Sequence, residues 1–234
     1  MILISRRFRG PTSSGNGGYT AGVLAQLVPA ADTVEVTLRR PPPLETPLET
    51  MRTAAGWELR DGADAVAEAV AVPTPCDVVP RVDPATARAA EESYRGLRSH
   101  PFPECFVCGP RRRPGDGLRL RPGLLDEERT ACTWTPDVSL AGDDGRVGGP
   151  YVWAALDCPA GWTGDLAGRP MVLGRMTVSL SAAVRAGSTY VVVGQRTGIE
   201  GRKTFTASTV YDAGGQPCGR ATHTWLQVDP SQFR

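Results

Sequence analysis

Mostly apolar runs and alternating runs occupy different parts of the chain and predict different elements. Residues 19–28 are mostly apolar, follow a turn-rich stretch that ends in two glycines, and stop at Pro29. This pattern predicts a helix, for which Ser14 or Asn16 would be the N-cap.

A second helix is predicted over residues 148–159, and it contains an unusual acidic residue. Pro150 suits the first turn, where its missing N–H is not needed, and Pro159 with Gly161 is expected to end the helix. Asp157 would lie in the last turn, near the negative end of the helix dipole and among apolar neighbours. A buried carboxyl there would have a raised pKa, as a general base near neutral pH requires. The alternative is a solvent-facing aspartate on a short helix.

Strand-like runs occur on both sides of a proline-rich connection, in which a short helix is expected within residues 84–94. The runs cover residues 1–7, 34–39, 48–54, 57–60 and 65–72 before it, and residues 118–121, 129–134, 171–183, 190–196, 203–211 and 220–228 after it. Asp61-Gly62 and residues 212–215 are expected hairpin turns.

The two halves repeat one order of elements. Gly17-Gly18-Tyr19 before the first helix matches Gly148-Gly149-Pro150-Tyr151 before the second, and each helix is followed by several antiparallel strands. An internal duplication of about 100 residues per copy explains this order, and a helix on an antiparallel sheet, twice, is an α+β architecture. We expect residues 1–75 and 105–234 to form one unit each, with joined sheets and with residues 76–104 as the linker.

Composition excludes some classes of function. The formal net charge of +1 over 234 residues gives no charge-based reason to expect nucleic acid or a membrane surface as partner. Apolar runs are too short for a membrane span, and the N-terminal residues lack the order of a signal peptide, so we expect a cytoplasmic protein. The six cysteines are mostly isolated, which suits a reducing compartment. We expect no cofactor, because phosphate-binding, dinucleotide and serine-nucleophile motifs are missing from the sequence.

One cysteine pair has the spacing of a metal ligand set. Cys105 and Cys108 form a Cys-x-x-Cys motif, and His100 lies five residues before it. A complete zinc site needs four ligands, and the sequence has no second pair of this kind. The sequence therefore predicts a structural turn and no metal.

The repeated Gly-Gly-aromatic helix start resembles the double-hotdog proteins of the acyl-CoA thioesterase-like superfamily. Gly17-Gly18-Tyr19-Thr20-Ala21-Gly22 is similar to the helix start of their first copy, and Asp157 lies where many of their second copies carry a catalytic aspartate. The family often has a glutamine on the last strand, and His223 lies near that position. The resemblance implies a tandem hotdog, an acyl thioester of coenzyme A or of a carrier protein as substrate, and further assembly into a homo-oligomer.

On this basis we expect thioester hydrolysis. Asp157 would activate water, His223 or Asn16 would orient it, and the N–H groups of Gly17 and Gly18 would hold the oxyanion. Each has a structural alternative: Asn16 as a helix cap, His223 as a satisfied core or surface histidine, and the glycines as aids to close packing. The expected substrate-binding residues are Gly17, Gly18, Tyr19, Gly148, Gly149, Trp153, Arg202 and Lys203.

Arg202 and Lys203 are among these residues because a basic turn can hold the phosphates of coenzyme A. The basic turn at residues 111–113 could do so too. For both turns, a solvated surface turn is the simpler interpretation. The alternative function is a hotdog that binds an acyl or polyketide-like ligand without catalysis, or that acts as a hydratase or dehydratase.

Overall fold

Eleven strands form one antiparallel sheet in the computed structural model, which describes residues 1–29, 31–229 and 231. The strand order is β1-β3-β4-β5-β2-β8-β11-β10-β9-β7-β6. The strands are β1 (Ile2–Leu3), β2 (Thr33–Leu38), β3 (Pro47–Arg52), β4 (Trp57–Asp61), β5 (Asp64–Ala71), β6 (Gly123–Leu124), β7 (Arg129–Trp134), β8 (Met171–Leu180), β9 (Tyr190–Glu200), β10 (Lys203–Tyr211) and β11 (Pro217–Gln227). The α-helices are α1 (Gly17–Ala25), α2 (Pro84–Ala90) and α3 (Gly149–Gly161).

The two halves of the sheet join at β2 and β8; the sequence predicts joined sheets, but it does not identify these two strands. Val34 pairs with Val178 and Val36 pairs with Met176, and all four side chains are buried. Burial of this seam holds the two halves together, because separation would expose apolar side chains to water.

The helices α1 and α3 pack against each other in antiparallel directions, and α3 lies across β9, β10 and β11. A Cβ atom on Gly18 would lie 2.5 Å from Cβ of Asp157, and a Cβ on Gly22 would lie 2.7 Å from Cα of Pro150. Glycine at these two positions lets the helices approach closely. The start of α1 therefore contacts the end of α3, at a point between the two halves of the chain.

The helix α3 ends at Gly161, one of the two residues expected to end it, but the expectation for Pro159 is wrong. Pro159 lies inside the helix, which continues to Gly161. A proline removes only its own N–H donor and crowds one carbonyl, so a last turn held by other contacts continues past it. The carbonyl of Pro159 accepts a hydrogen bond of 2.7 Å from the Thr130 hydroxyl on β7.

The predicted strand over residues 118–121 is also wrong. Leu118 and Leu120 are buried as the alternation implies, but their N–H groups donate to the carbonyls of Phe106 and Val107, which lie in a loop. Arg119 between them has a φ of +54°, which regular strands do not contain. The alternation of apolar and polar residues indicates that one face of the segment is buried, but it does not identify the backbone with which the segment pairs. The other predicted strands are present with shifted ends, and the first is reduced to Ile2–Leu3.

Among the described residues, no helix is long and apolar enough to cross a membrane.

Candidate active site

A mainly apolar cavity of about 280 Å³ lies where the start of α1, the end of α3 and the connection between the halves meet. It has walls from both halves of the chain. The residues that line it are Gly10, Pro11, Ser14–Gly17, Leu38–Pro42, His100, Phe102, Cys105, Cys108, Asp157, Cys158, Leu166, Met171–Gly174, Trp225, Leu226 and Val228.

Asp157 is a buried carboxyl group at the wall of this cavity. Its Oδ2 atom accepts hydrogen bonds of 3.0 Å from Nδ2 of Asn16 and 3.0 Å from the N–H of Gly18. Its Oδ1 atom is buried and has no hydrogen-bond partner among the described residues. Since buried carboxyl oxygens normally have partners, Oδ1 is the oxygen of this carboxyl group whose hydrogen-bonding capacity is unsatisfied.

Burial raises the pKa of Asp157 from 3.8 to about 7, because a charged carboxylate loses its hydration inside the protein. The hydrogen bond from the Gly18 N–H opposes this shift, the nearby Cys105 adds to it, and the Asn16 amide opposes it. The structure thus selects the buried alternative for Asp157 over the solvent-facing one.

Asn16 connects the start of α1 to this carboxyl group. Its Oδ1 atom accepts from the N–H of Tyr19 at 2.8 Å, which is the hydrogen bond of an N-cap. Its Nδ2 atom donates to Asp157, which lies 141 positions later in the chain. The cap fixes the amide in the orientation that this contact requires, so the helix-cap interpretation of Asn16 is confirmed and its amide also contacts Asp157.

The two glycines at the start of α1 have different environments. The N–H of Gly18 donates to Asp157 and is not available to an oxyanion. Gly17 lines the cavity, and its N–H donates to no acceptor among the described residues. As the first residue of a helix, it lies at the positive end of the dipole.

Three cysteines lie beside Asp157. The sulfur atoms of Cys105, Cys108 and Cys158 are all within 4.8 Å of one another, and all three residues are buried. His100 contacts this group, because its Nε2 atom lies 3.3 Å from the sulfur of Cys108. The sequence placed His100 five residues before the Cys-x-x-Cys pair, but it could not show that Cys158 joins the pair, because only the fold brings the end of α3 to the connecting loop.

The structure does not bring His223 to the cavity. On β11 it lies on the same face as Ala221 and Trp225, as alternation predicts, and all three are buried. Its Nδ1 atom is 3.1 Å from the hydroxyl of Thr206 on β10, and it makes no hydrogen bond to Asp157. Burial lowers its pKa to about 4, so the ring is neutral near pH 7.

Four other expected binding residues lie away from the cavity wall. Tyr19 stacks on Phe8 with ring centroids 4.0 Å apart, and Trp153 packs at the crossing of the two helices beside Gly22. Gly148 is the N-cap of α3 and Gly149 is its first residue, and this helix start faces the end of α1 because the helices are antiparallel. The range Gly17–Ala25 contains no acidic residue, so the second helix start has no counterpart of Asp157 on α1.

The basic turn after β9 contributes neither Arg202 nor Lys203 to the lining of the cavity. Arg202 and Lys203 are exposed, and Arg202 lines a shallow pocket with Val228, which also lines the cavity. Arg39 and Arg40 line the cavity too, a role for which their place at the end of a strand gave no signal. They form ion pairs with Glu68 and Asp64.

Comparisons with solved structures support the fold. The tesB protein of Mycobacterium avium subs paratuberculosis aligns with a TM-score of 0.60 at 13% identity, over 92% of this chain and 88% of that chain. A protein of unknown function with a hot dog fold from Alicyclobacillus acidocaldarius aligns with a TM-score of 0.59 at 13% identity, over 97% of this chain and 91% of that chain. No family model and no curated protein matches the sequence.

These alignments cover nearly the whole chain, so the class of protein follows from the fold. It is an α+β hotdog, in which two helix-and-sheet units occur in one chain.

Proposed function

We propose that this chain hydrolyses acyl thioesters in the cavity beside Asp157. The observation that carries the proposal is the arrangement of this carboxyl group. Asn16 and Gly18 hold Oδ2 from the opposite half of the chain, while Oδ1 has no partner and the residue lines an apolar cavity. A carboxylate fixed in this manner can orient a water molecule and accept its proton.

In the proposed reaction, a water bound at Oδ1 of Asp157 attacks the thioester carbonyl carbon and gives its proton to the carboxylate. The N–H of Gly17, at the start of α1, donates to the oxyanion that forms. The carbon–sulfur bond then breaks, and the proton moves from Asp157 to the leaving thiolate. The products are a carboxylic acid and a free thiol.

Because the cavity wall is mainly apolar, we propose that the acyl group is the part of the substrate that binds inside the cavity. Leu38, Leu166 and Leu173 present apolar side chains to it. In this proposal the exposed Arg202 and Lys203 contact the phosphates of a coenzyme A or carrier-protein arm outside the cavity.

The proposal assigns one reactive site to each chain, because the start of α3 faces no carboxylate on α1. We further propose that chains associate into a homo-oligomer. Light scattering at micromolar concentration is expected to give a mass above the 24.9 kDa of one chain, and a monomer would contradict this.

The test is release of free thiol from a panel of acyl-CoA substrates by the parent protein and by Asp157→Asn. The substitution keeps the size of the side chain and removes the proton acceptor, so turnover is expected to fall by about 10²-fold or more. Asp165→Asn is the matched control, since this aspartate is exposed in the loop after α3. It should retain parental turnover.

Near-parental turnover in folded Asp157→Asn would move the chemistry elsewhere. Binding of acyl-CoA by the parent protein without release of thiol would instead support the alternative of a binding protein or a hydratase.

A further inference from the structure

The three-cysteine cluster has the properties of a metal site. Cys105 and Cys108 come from the loop that follows the connection between the halves, and Cys158 comes from α3. The sulfurs of Cys105 and Cys158 are 3.7 Å apart. Two thiolates that bind one tetrahedral zinc ion, each at about 2.3 Å, lie about 3.8 Å apart. The cysteines are thus spaced for a shared ion, whereas a disulfide would need the two sulfurs at about 2.05 Å.

The loop that carries the first two cysteines is held in place by backbone contacts. The N–H of Gly109 donates to the carbonyl of Cys105 at 2.9 Å, and a Cβ on Gly109 would lie 2.5 Å from that oxygen. The hydroxyl of Tyr94 donates to the carbonyl of Cys108 at 2.8 Å. The N–H of Phe106 donates to the carbonyl of Arg9. The loop therefore keeps both sulfurs directed at α3 by contacts that do not need an ion.

His100 supports the sulfur of Cys108 from the side. Its Nδ1 atom accepts a hydrogen bond of 2.9 Å from the N–H of Phe102. The proton of the neutral ring is therefore on Nε2, which faces the Cys108 sulfur at 3.3 Å. A proton in that position donates to a thiolate and does not leave Nε2 free to bind a metal. His100 is accordingly a hydrogen-bond partner of a ligand.

We propose that Cys105, Cys108 and Cys158 bind one zinc ion, with its fourth coordination position open to the cavity. All three cysteines line the cavity, and among the described residues the cluster of ligand atoms contains these three sulfurs only. Thiolates are the ligands that zinc prefers among soft donors, and a zinc site with an open position accepts water or another ligand. The ion would join the connecting loop to α3 beside Asn16, whose Nδ2 is 3.9 Å from the sulfurs of Cys105 and Cys158.

This proposal replaces the sequence-based expectation of no metal, which depended on a search for a second Cys-x-x-Cys pair. It is independent of the proposed hydrolysis, because the ligands do not include Asp157. Asp157→Asn is expected to bind the ion with parental stoichiometry even though it loses turnover.

The first experiment measures metal content and cobalt binding. Protein purified without chelator or added metal is expected to contain about one zinc per chain. After removal of the metal and reduction with a phosphine, cobalt should give sulfur-to-metal charge-transfer absorption with the intensity of three thiolates. Cys105→Ser, Cys108→Ser and Cys158→Ser should each lower this absorption by about a third and weaken binding at least tenfold.

Cys132→Ser is the matched control, because Cys132 is a free, buried cysteine on β7 outside the cluster. It should keep parental affinity and absorption. His100→Ala should keep the absorption of three thiolates and weaken binding by about 10- to 100-fold. Addition of a small thiol such as 2-mercaptoethanol should raise the absorption by about a third, because it fills the open position.

Three results would overturn the proposal. One is a folded, reduced protein that binds neither zinc nor cobalt at micromolar concentration. The second is equal metal content in the parent protein and in Cys158→Ser, which would identify an adventitious ion. The third is a cobalt spectrum that the added thiol leaves unchanged and that the His100→Ala substitution alters. This result would identify His100 as the fourth ligand, so the ion would have no open coordination position.

Discussion

His223 provides a quantitative test of how the core is built, because it is a fully buried histidine without a charged partner. Its folded-state pKa is about 4, against 6.5 for an ordinary histidine, and loss of hydration is the main cause. Below about pH 6.5 the unfolded chain binds a proton at this ring that the folded chain does not bind. The contribution of the neutral His223 ring to the free energy of unfolding is therefore fully present above pH 6.5, and it is lost as the pH falls towards 4.

The size of the effect follows from the two pKa values. A difference of about 2.5 pKa units, at 1.36 kcal/mol per unit, amounts to about 3 kcal/mol between neutral pH and pH 4. By about pH 4.5, roughly 2.5 kcal/mol of this should be lost. A typical domain has a free energy of unfolding of about 5–15 kcal/mol, so the loss is large enough to measure.

The assay is urea unfolding of the parent protein and of His223→Gln at about pH 7.5 and about pH 4.5. Glutamine is neutral at both pH values, so the variant should lose about 2.5 kcal/mol less than the parent protein between them. Other groups, such as His100 with its pKa also lowered to about 4, are common to both proteins and cancel in the difference. Equal losses in the two proteins would refute the argument, because His223 would then be protonated in the folded state or exposed to water.

Two further predictions concern the contact between α1 and Asp157. Gly18→Ala should lower turnover on an acyl-CoA by about 10²-fold, since its Cβ would lie 2.5 Å from Cβ of Asp157. Gly22→Ala is the control: its Cβ would lie 2.7 Å from Cα of Pro150, so it should destabilise the protein to urea but keep turnover. Equal turnover in the two variants would contradict the role of the contact between Gly18 and Asp157. Asn16→Ser should keep the helix cap and the unfolding midpoint in urea, because serine caps a helix as well as asparagine does. It should lower turnover about tenfold or more, because the Nδ2 donor to Asp157 is lost. Parental steady-state turnover would show that Asn16 is only a cap.

The sequence by itself determined the elements and their repetition. Period-two alternation gave most strands, and the Gly-Gly starts with long apolar runs gave α1 and α3, because these signals depend only on neighbours along the chain. The same signals gave the joined α+β halves, and they indicated Asp157 as an acid in an apolar helix. Sequence patterns gave wrong predictions where the structure of a segment depends on a distant segment that packs against it. Leu118 and Leu120 alternate like a strand but pair with a loop, and Pro159 lies within a helix whose last turn is held from outside.

Only the tertiary structure decided which side chains meet. Asn16 reaches Asp157 across 141 positions, and Cys158 reaches Cys105 across 53, because α1, α3 and the connecting loop converge at one point. The tertiary structure also places His223 outside the cavity, although its residue type and its position on the last strand made it a reasonable candidate for a catalytic residue. Sequence patterns record which face of an element is buried, since burial repeats with the period of that element. They do not record what the buried face touches, because that depends on how distant elements pack.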